Sequence, residues 1–314
     1  MDGQTLWSNA RGRVLKILLF GANGQVGWEL QRSLSPLGDV IALDRRGTEF
    51  CGDLTDLKGI LETVRRAAPD VIVNAAAYTA VDKAESDVDT AQIVNAVAPG
   101  ILAQAASAAG AWLVHYSTDY VFDGSGSQAW VETDPTGPLN VYGRTKLEGE
   151  QRIASQCAKH LIFRTSWVYA ARGGNFAKTM LRLARERETL TVIDDQFGAP
   201  TGADMLADVT AHAIVQAQVK PGHAGLYHLA AGGETTWFDY AKYVIAQSIR
   251  AQETIKIIAT KIEPVATSAF PTAAQRPHNS RLNTAKLQQT FGLQLPPWQL
   301  GVARMLAESQ TKSS

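Results

Sequence analysis

Apolar positions at residues 14–20 run almost without a break, only Lys16 intervening, a length and pattern that suit a strand buried on both faces. Glycines follow at once, and Val26, Trp28, Leu30 and Leu34 then recur at helical spacing. Residues 40–44 predict a second buried strand ending on an acid, residues 57–68 a helix, and residues 71–76 another strand. Residues 88–110 are Ala-rich and helical, and 112–117 form the next strand. The stretch 123–139 carries the Gly, Ser and Pro punctuation of a long connection. A helix at 141–157 and a strand at 161–165 complete the alternation.

Strands and helices alternating in this way predict an α/β fold, a doubly wound parallel (Rossmann-type) sheet. After residue 166 the rhythm changes. An amphipathic helix at 175–187, a short strand at 190–194, helices at 203–219 and 237–250, and a loop at 267–277 predict a smaller C-terminal α/β substrate lobe. The expected division is a dinucleotide-binding domain at 14–165, with returning segments from about 205–250, and a substrate-binding lobe at about 166–204 and 251–314. Residues 1–13 are polar and lack the apolar stretch of a signal peptide, and are expected to be a disordered extension.

Composition narrows the function classes. Thirty basic and thirty acidic residues among 314 balance to zero formal charge, which gives no support to a nucleic-acid or membrane-surface partner. No apolar run reaches the length of a membrane span. Cys51 and Cys157 match no metal or redox spacing, so a reduced, cytoplasmic setting is expected.

Chemistry enters at two places. Gly21-Ala22-Asn23-Gly24-Gln25-Val26-Gly27 lies between a predicted strand and a predicted helix, where free N–H groups at the helix start face a pyrophosphate. Asp44, ending the second strand, suits the ribose hydroxyls of NAD, whereas Arg45 and Arg46 suit the 2′-phosphate of NADP. Use of both NADH and NADPH is expected. Farther on, Tyr142 and Lys146 stand four apart on a predicted helix, hence on one face. An ammonium there favours phenolate over phenol and makes the tyrosine a usable acid or base; moving a phenol from its ordinary pKa of about 10 to neutrality is worth roughly 4 kcal/mol.

The Gly-x-x-Gly-x-x-Gly loop together with Tyr142-x-x-x-Lys146 resembles the extended branch of the short-chain dehydrogenase/reductase superfamily. Five further stretches, at 74–85, 115–124, 163–169, 195–201 and 276–282, are similar in order and content to the dTDP-4-dehydrorhamnose reductases, so the likeness runs from about Leu15 to about Leu306. It implies reduction of the C4 ketone of a dTDP-linked 4-keto-6-deoxy sugar with a hydride from NADPH or NADH. Tyr142 would then be the proton donor, Lys146 its partner on the nicotinamide ribose, and Thr118, rather than the neighbouring Ser117, a second donor to the carbonyl oxygen.

The resemblance also implies cofactor contacts from Gly21, Asn23, Gly24, Gln25, Val26, Gly27, Asp44, Arg45, Asp53, Leu54, Ala77, Tyr78 and Thr79. Asp119 would take a sugar hydroxyl. Trp167 would wall the substrate site, although a tryptophan there serves packing equally well. Lys83 and Arg276 would reach the substrate's pyrophosphate, solvated charge being the alternative. A Mg2+ ion near a subunit contact would use Glu29 and Asp204, the latter shorter by one methylene than the family's usual Glu, and the enzyme would be a homodimer. Two rivals stay open: a sugar-nucleotide epimerase or dehydratase of the same branch, and a non-catalytic dinucleotide-binding regulatory subunit. A dehydratase would carry a Glu-containing pair beside the threonine, where this chain has Asp119-Tyr120; a regulatory subunit would have a damaged catalytic set, where Thr118, Tyr142 and Lys146 are intact.

Overall fold

Alternation along the first strand, β1 (Leu15–Phe20), decides which layers it joins: Leu15, Ile17 and Leu19 meet one face of the sheet, Leu18 and Phe20 the other. The computed structural model describes residues 14–250 and 257–310; the extension expected at 1–13 lies outside them. In order follow α1 (Gln25–Leu34), β2 (Gly38–Leu43), α2 (Leu57–Ala67), β3 (Val71–Asn74), the short α3 (Val81–Ala84) and α4 (Val88–Gln92). Then come α5 (Ala98–Ala109), β4 (Trp112–Thr118), α6 (Val141–Gln156), β5 (His160–Thr165), β6 (Val168–Tyr169), α7 (Phe176–Glu186) and β7 (Thr189–Ile193). The remainder is β8 (Phe197–Gly198), β9 (Thr201–Gly202), α8 (Ala203–Val219), β10 (Gly225–His228), β11 (Thr235–Thr236), α9 (Trp237–Arg250), β12 (Lys261–Val265), α10 (Ala285–Phe291) and α11 (Trp298–Gln310).

Six strands form the main sheet in the order β2-β1-β3-β4-β5-β10, every neighbouring pair parallel. The chain leaves β1 toward β2 on one side and returns to β3 on the other. Between β1 and β3 the connections diverge, and a crevice opens beyond the carboxyl ends of the strands. On one face α1 and α8 lay Leu30, Leu34, Leu206 and Ile214 over Ile17, Leu19, Val73 and Val114. On the other, Ile60, Val64, Leu102, Ala106 and Ile153 of α2, α5 and α6 cover Leu18, Phe20, Ile72 and Leu113. Farther along, α7 and α9 pack on the β7–β12 pair through Met180, Ala184, Leu190, Val192, Ala241 and Ile245.

Three details correct the sequence reading. β2 is the sheet's edge, so Val40 and Ile41 are half-exposed rather than buried on both faces. Residues 88–110 are not one α-helix, because a π-helical turn at Ile93–Val97 separates α4 from α5. β10 has no counterpart among the predicted strands; four residues are too few to display a period.

Candidate active site

The glycine loop joins β1 to α1 beneath the crevice. A side chain on Gly27 would put its Cβ 2.0 Å from the Gly21 carbonyl oxygen, so only glycine lets α1 start this close to the loop. Above it lies a cavity of about 940 Å3 lined by Gly21, Asn23, Gly24, Gln25, Val26, Asp44, Arg45, Arg46, Ala75, Ala76, Ala77 and Thr79. Tyr116, Ser117, Tyr142, Lys146 and Thr165 line it as well. At the β2 end, Asp44 accepts from Asn23 Nδ2 and from the Arg46 backbone N–H, both at 2.8 Å, while Arg45 pairs with Asp53 at 3.0 Å.

Tyr142 is placed by the start of α6. The Asn140 side chain caps the helix by accepting from Gly143 N at 2.8 Å and donates from Nδ2 to the Gln275 carbonyl at 2.7 Å. Any side chain on Gly143 would lie 2.2 Å from the Tyr120 carbonyl oxygen. The helix therefore begins directly on the turn that follows β4, and the Thr118 hydroxyl favours the ionised form of the Tyr142 phenol. Thr118, at the last position of β4, also donates to Asp119 Oδ1 at 3.1 Å. Lys146 is 1% exposed and donates to the Tyr116 carbonyl oxygen.

The electrostatics reverse one expectation. Burial pushes the Tyr142 phenol up to about 12, with the Thr118 hydroxyl opposing. Burial brings Lys146 itself down to about 8, with Glu150 opposing. At neutral pH the tyrosine is thus a fully protonated phenol, the form a proton donor needs.

Other sequence-derived candidates fall in three groups. Arg276, with Tyr120, Gln196, Trp237 and Phe270, borders a second cavity of about 380 Å3, and is held by Asp82 through hydrogen bonds of 2.6 and 3.1 Å. Trp167, at φ +50°, stacks on Trp237 with ring centroids 3.6 Å apart, beside this second cavity. Asp119 is buried and faces Thr118, and burial raises its carboxyl to about 6. Tyr78 turns its hydroxyl away to Asp87 at 2.9 Å, Leu54 is buried in the core, and Lys83 is an exposed side chain 3.9 Å from Asp87 that lines neither cavity.

Relatives place this geometry. The family described as "RmlD substrate binding domain" matches residues 15–311. A dTDP-4-dehydrorhamnose reductase of Shigella flexneri is 62% identical over 300 residues, covering 96% of this chain and 100% of the relative. That of Escherichia coli K12 is 61% identical with the same coverage. The chain belongs to the dTDP-4-dehydrorhamnose reductase family. Among solved structures, a dTDP-4-dehydrorhamnose reductase from Bacillus anthracis in complex with NADP has a TM-score of 0.83 at 35% identity, over 94% of this chain and 100% of that one. One from Clostridium acetobutylicum has a TM-score of 0.84 at 35% identity, over 93% and 99%.

The carboxylates considered for Mg2+ have other partners in this chain. Glu29 lies 3.4 Å from Arg32; Asp204 gives Oδ1 to the Met205 backbone N–H, and its Oδ2 lies 3.8 Å from Arg304. Among the described residues no group of three or more His, Cys, Asp or Glu side chains could hold a metal.

The reductase also uses residues the sequence reading passed over. Asn95, in the π-helical turn, accepts from Tyr78 N at 2.9 Å and donates to the Tyr78 carbonyl at 3.1 Å and to Thr145 at 3.2 Å, tying the cavity wall to α6. A lone Asn in an Ala-rich helical run was the available signal. Gln25 donates to the Gly174 carbonyl at 3.0 Å, and Arg172 lies 3.9 Å over the Trp28 ring, so the loop before α7 is strapped onto α1. Nothing in the local sequence around 170–174 announces that contact.

A methyl at the tightest point of the loop is the direct test of the cofactor groove. In Gly27→Ala, relieving the clash requires the loop and α1 to separate, at a cost of about 1–3 kcal/mol. NADPH affinity, read by fluorescence titration, should fall about tenfold or more. Unchanged affinity would place the dinucleotide elsewhere.

Proposed function

We propose that this dTDP-4-dehydrorhamnose reductase reduces the C4 ketone of dTDP-4-dehydro-6-deoxy-L-mannose to dTDP-L-rhamnose, with Tyr142 giving the proton to the C4 oxygen. The observation that carries the assignment is that Tyr142 and Lys146 line the same cavity as the glycine loop, with the Thr118 hydroxyl acting on the Tyr142 phenol. A nicotinamide dinucleotide, NADPH or NADH, supplies the hydride when bound.

As negative charge grows on the C4 oxygen, the two hydroxyls can donate to it together. A protonated phenol held near 12 transfers its proton readily, because a sugar alkoxide is the stronger base. Lys146, one turn along α6, supports the phenolate that remains. Asn23, Gln25 and the N–H groups at the start of α1 would hold the pyrophosphate of the dinucleotide. Asp44 would take its ribose, and Arg46 stands at the same rim for a 2′-phosphate.

The stacked Trp167 and Trp237, with Arg276, would receive the sugar and its diphosphate from the second cavity. Asp119 acts from behind, through Thr118, rather than on the sugar. A homodimer in the cytoplasm belongs to the same proposal, and sedimentation would read the former. No helix among the described residues is long and apolar enough to cross a membrane.

One assay tests the reading. Purified protein mixed with NADPH and the dTDP-4-keto-6-deoxy-L-lyxo sugar should oxidise one NADPH per rhamnose formed, and EDTA should leave the rate unchanged. Sugar conversion without net oxidation would make the protein an epimerase, and no turnover at high enzyme would make it a binding subunit.

A further inference from the structure

Lys146 has a partner that the proposed chemistry does not use. Its Nζ lies 3.0 Å from His115 Nε2, and the other ring nitrogen, Nδ1, lies 3.1 Å from Asn74 Nδ2. Asn74 Oδ1 in turn accepts the Ala76 backbone N–H at 3.1 Å. Asn74, His115 and Lys146 are each at most 1% exposed, so no solvent competes along this line.

The donors and acceptors can be ordered from one end. A backbone N–H only donates, so Asn74 turns its oxygen to Ala76 and its NH2 to the imidazole. That NH2 only donates, so Nδ1 accepts. A neutral imidazole accepting at Nδ1 carries its hydrogen on Nε2, pointed at Lys146. The lysine can accept it only as a neutral amine, because an ammonium has no lone pair. Charging Lys146 sets two donors face to face at some point of the line. An imidazolium is no escape, since burial and the neighbouring Lys146 hold His115 well below the usual histidine range.

We propose that the Ala76 N–H, Asn74 and His115 form a one-directional hydrogen-bond relay ending on Lys146, which makes the lysine's proton loosely held and easily given. The proposal rests on the reading of Tyr142 and Lys146 as the acid pair. When Tyr142 has protonated the C4 oxygen, an N–H bond of Lys146 breaks and an O–H bond re-forms on the phenolate. The lone pair left on Nζ meets the waiting Nε2–H of His115, and one proton later returns to Lys146 from solvent through the cavity it lines. His115 and Asn74 are thus positioning residues for proton resupply.

The groups facing Lys146 agree with this. His115 and the Tyr116 carbonyl face it from β4, and Tyr142 and Glu150 stand one turn to either side on α6. Of these the Glu150 carboxylate and the Tyr116 carbonyl favour the cation, and that carboxylate is shared with Arg164 of β5.

Asn74→Asp in the full chain tests the relay. A carboxylate only accepts, so one oxygen keeps the Ala76 N–H while the other draws the hydrogen to His115 Nδ1, leaving Nε2 to accept from a charged Lys146. NMR of protein labelled with 15N-histidine, with the His115 signals assigned by their loss in His115→Gln, should show the Nε2–H tautomer in the wild type and the Nδ1–H tautomer in Asn74→Asp. The alkaline limb of kcat should rise by about one pH unit, so that one unit above the wild-type limb the variant keeps about half of its maximal rate and the wild type about a tenth, roughly a fivefold difference. An Nδ1–H tautomer or an imidazolium in the wild type overturns the relay, whether or not the variant folds. A switched tautomer with an unmoved limb overturns its coupling to Lys146. Full turnover by Tyr142→Phe would remove the acid pair yet leave the wild-type tautomer as stated, so the two failures are distinguishable.

Discussion

Tyr142→Phe should bind NADPH as the wild type does and lose turnover by about 10²–10⁴-fold, the usual contribution of a positioned general acid. The substitution deletes one oxygen and leaves the ring, which packs edge-on against Tyr120 at 5.6 Å. It leaves Lys146 and the glycine loop untouched, so cofactor affinity, read by fluorescence titration, should change little while kcat falls. Thr118 would remain as a lone donor, but its hydroxyl is a far weaker acid than a phenol and would lean on Asp119, whose carboxyl is itself buried. In the wild type the rate should fall on the alkaline side as Lys146 loses its proton. Burial depresses that pKa to about 8, so cationic support for the phenolate is present below this value and lost above it. Normal turnover in the phenylalanine variant would move the proton donor elsewhere.

The parts of this enzyme that were legible in sequence are those with local physical causes. The buried strands show as apolar runs because they are apolar on both faces, and the glycine loop shows because crowding at Gly27 admits nothing larger. Tyr142 and Lys146 show because a helix repeats every fourth residue on one face. The direction of the tyrosine's shift was not legible. It depends on how deeply the pair is desolvated by β4 and the turn after it, and on Lys146 being engaged by Tyr116 and His115. Spacing carries no trace of either. Asn95 and the Arg172–Trp28 contact were missed for a related reason. A π-helical turn and a strap between distant segments are made by tertiary packing, and their residues look ordinary in a linear reading. Lys83 shows the converse, since a motif can match while its side chain lies in solvent.

Glu150→Gln should lower the free energy of unfolding by about 3–5 kcal/mol, the usual consequence of removing one partner from a buried ion pair. Glu150 and Arg164 are 3% and 4% exposed, and both carboxylate oxygens accept from the guanidinium, at 2.9 and 2.6 Å. Among the described residues Arg164 Nη1 already has no hydrogen-bond partner, and the guanidinium lies 5.0 Å over the Phe122 ring, so no second acceptor waits there for its charge. The amide would leave that cation uncompensated between α6 and β5. Replacing both residues by apolar ones, Glu150→Leu with Arg164→Met, should recover most of the loss in a urea titration, because the cost lies in the stranded charge and not in the missing attraction. Glu150 also raises the pKa of Lys146 against the effect of burial. Its removal should therefore shift the alkaline limb of kcat to lower pH, opposite to the shift expected for Asn74→Asp. Both Glu150 variants should show it, since both lack the carboxylate. A stable Glu150→Gln would mean that water reaches the pair, and an unmoved limb would mean that Lys146 does not set it.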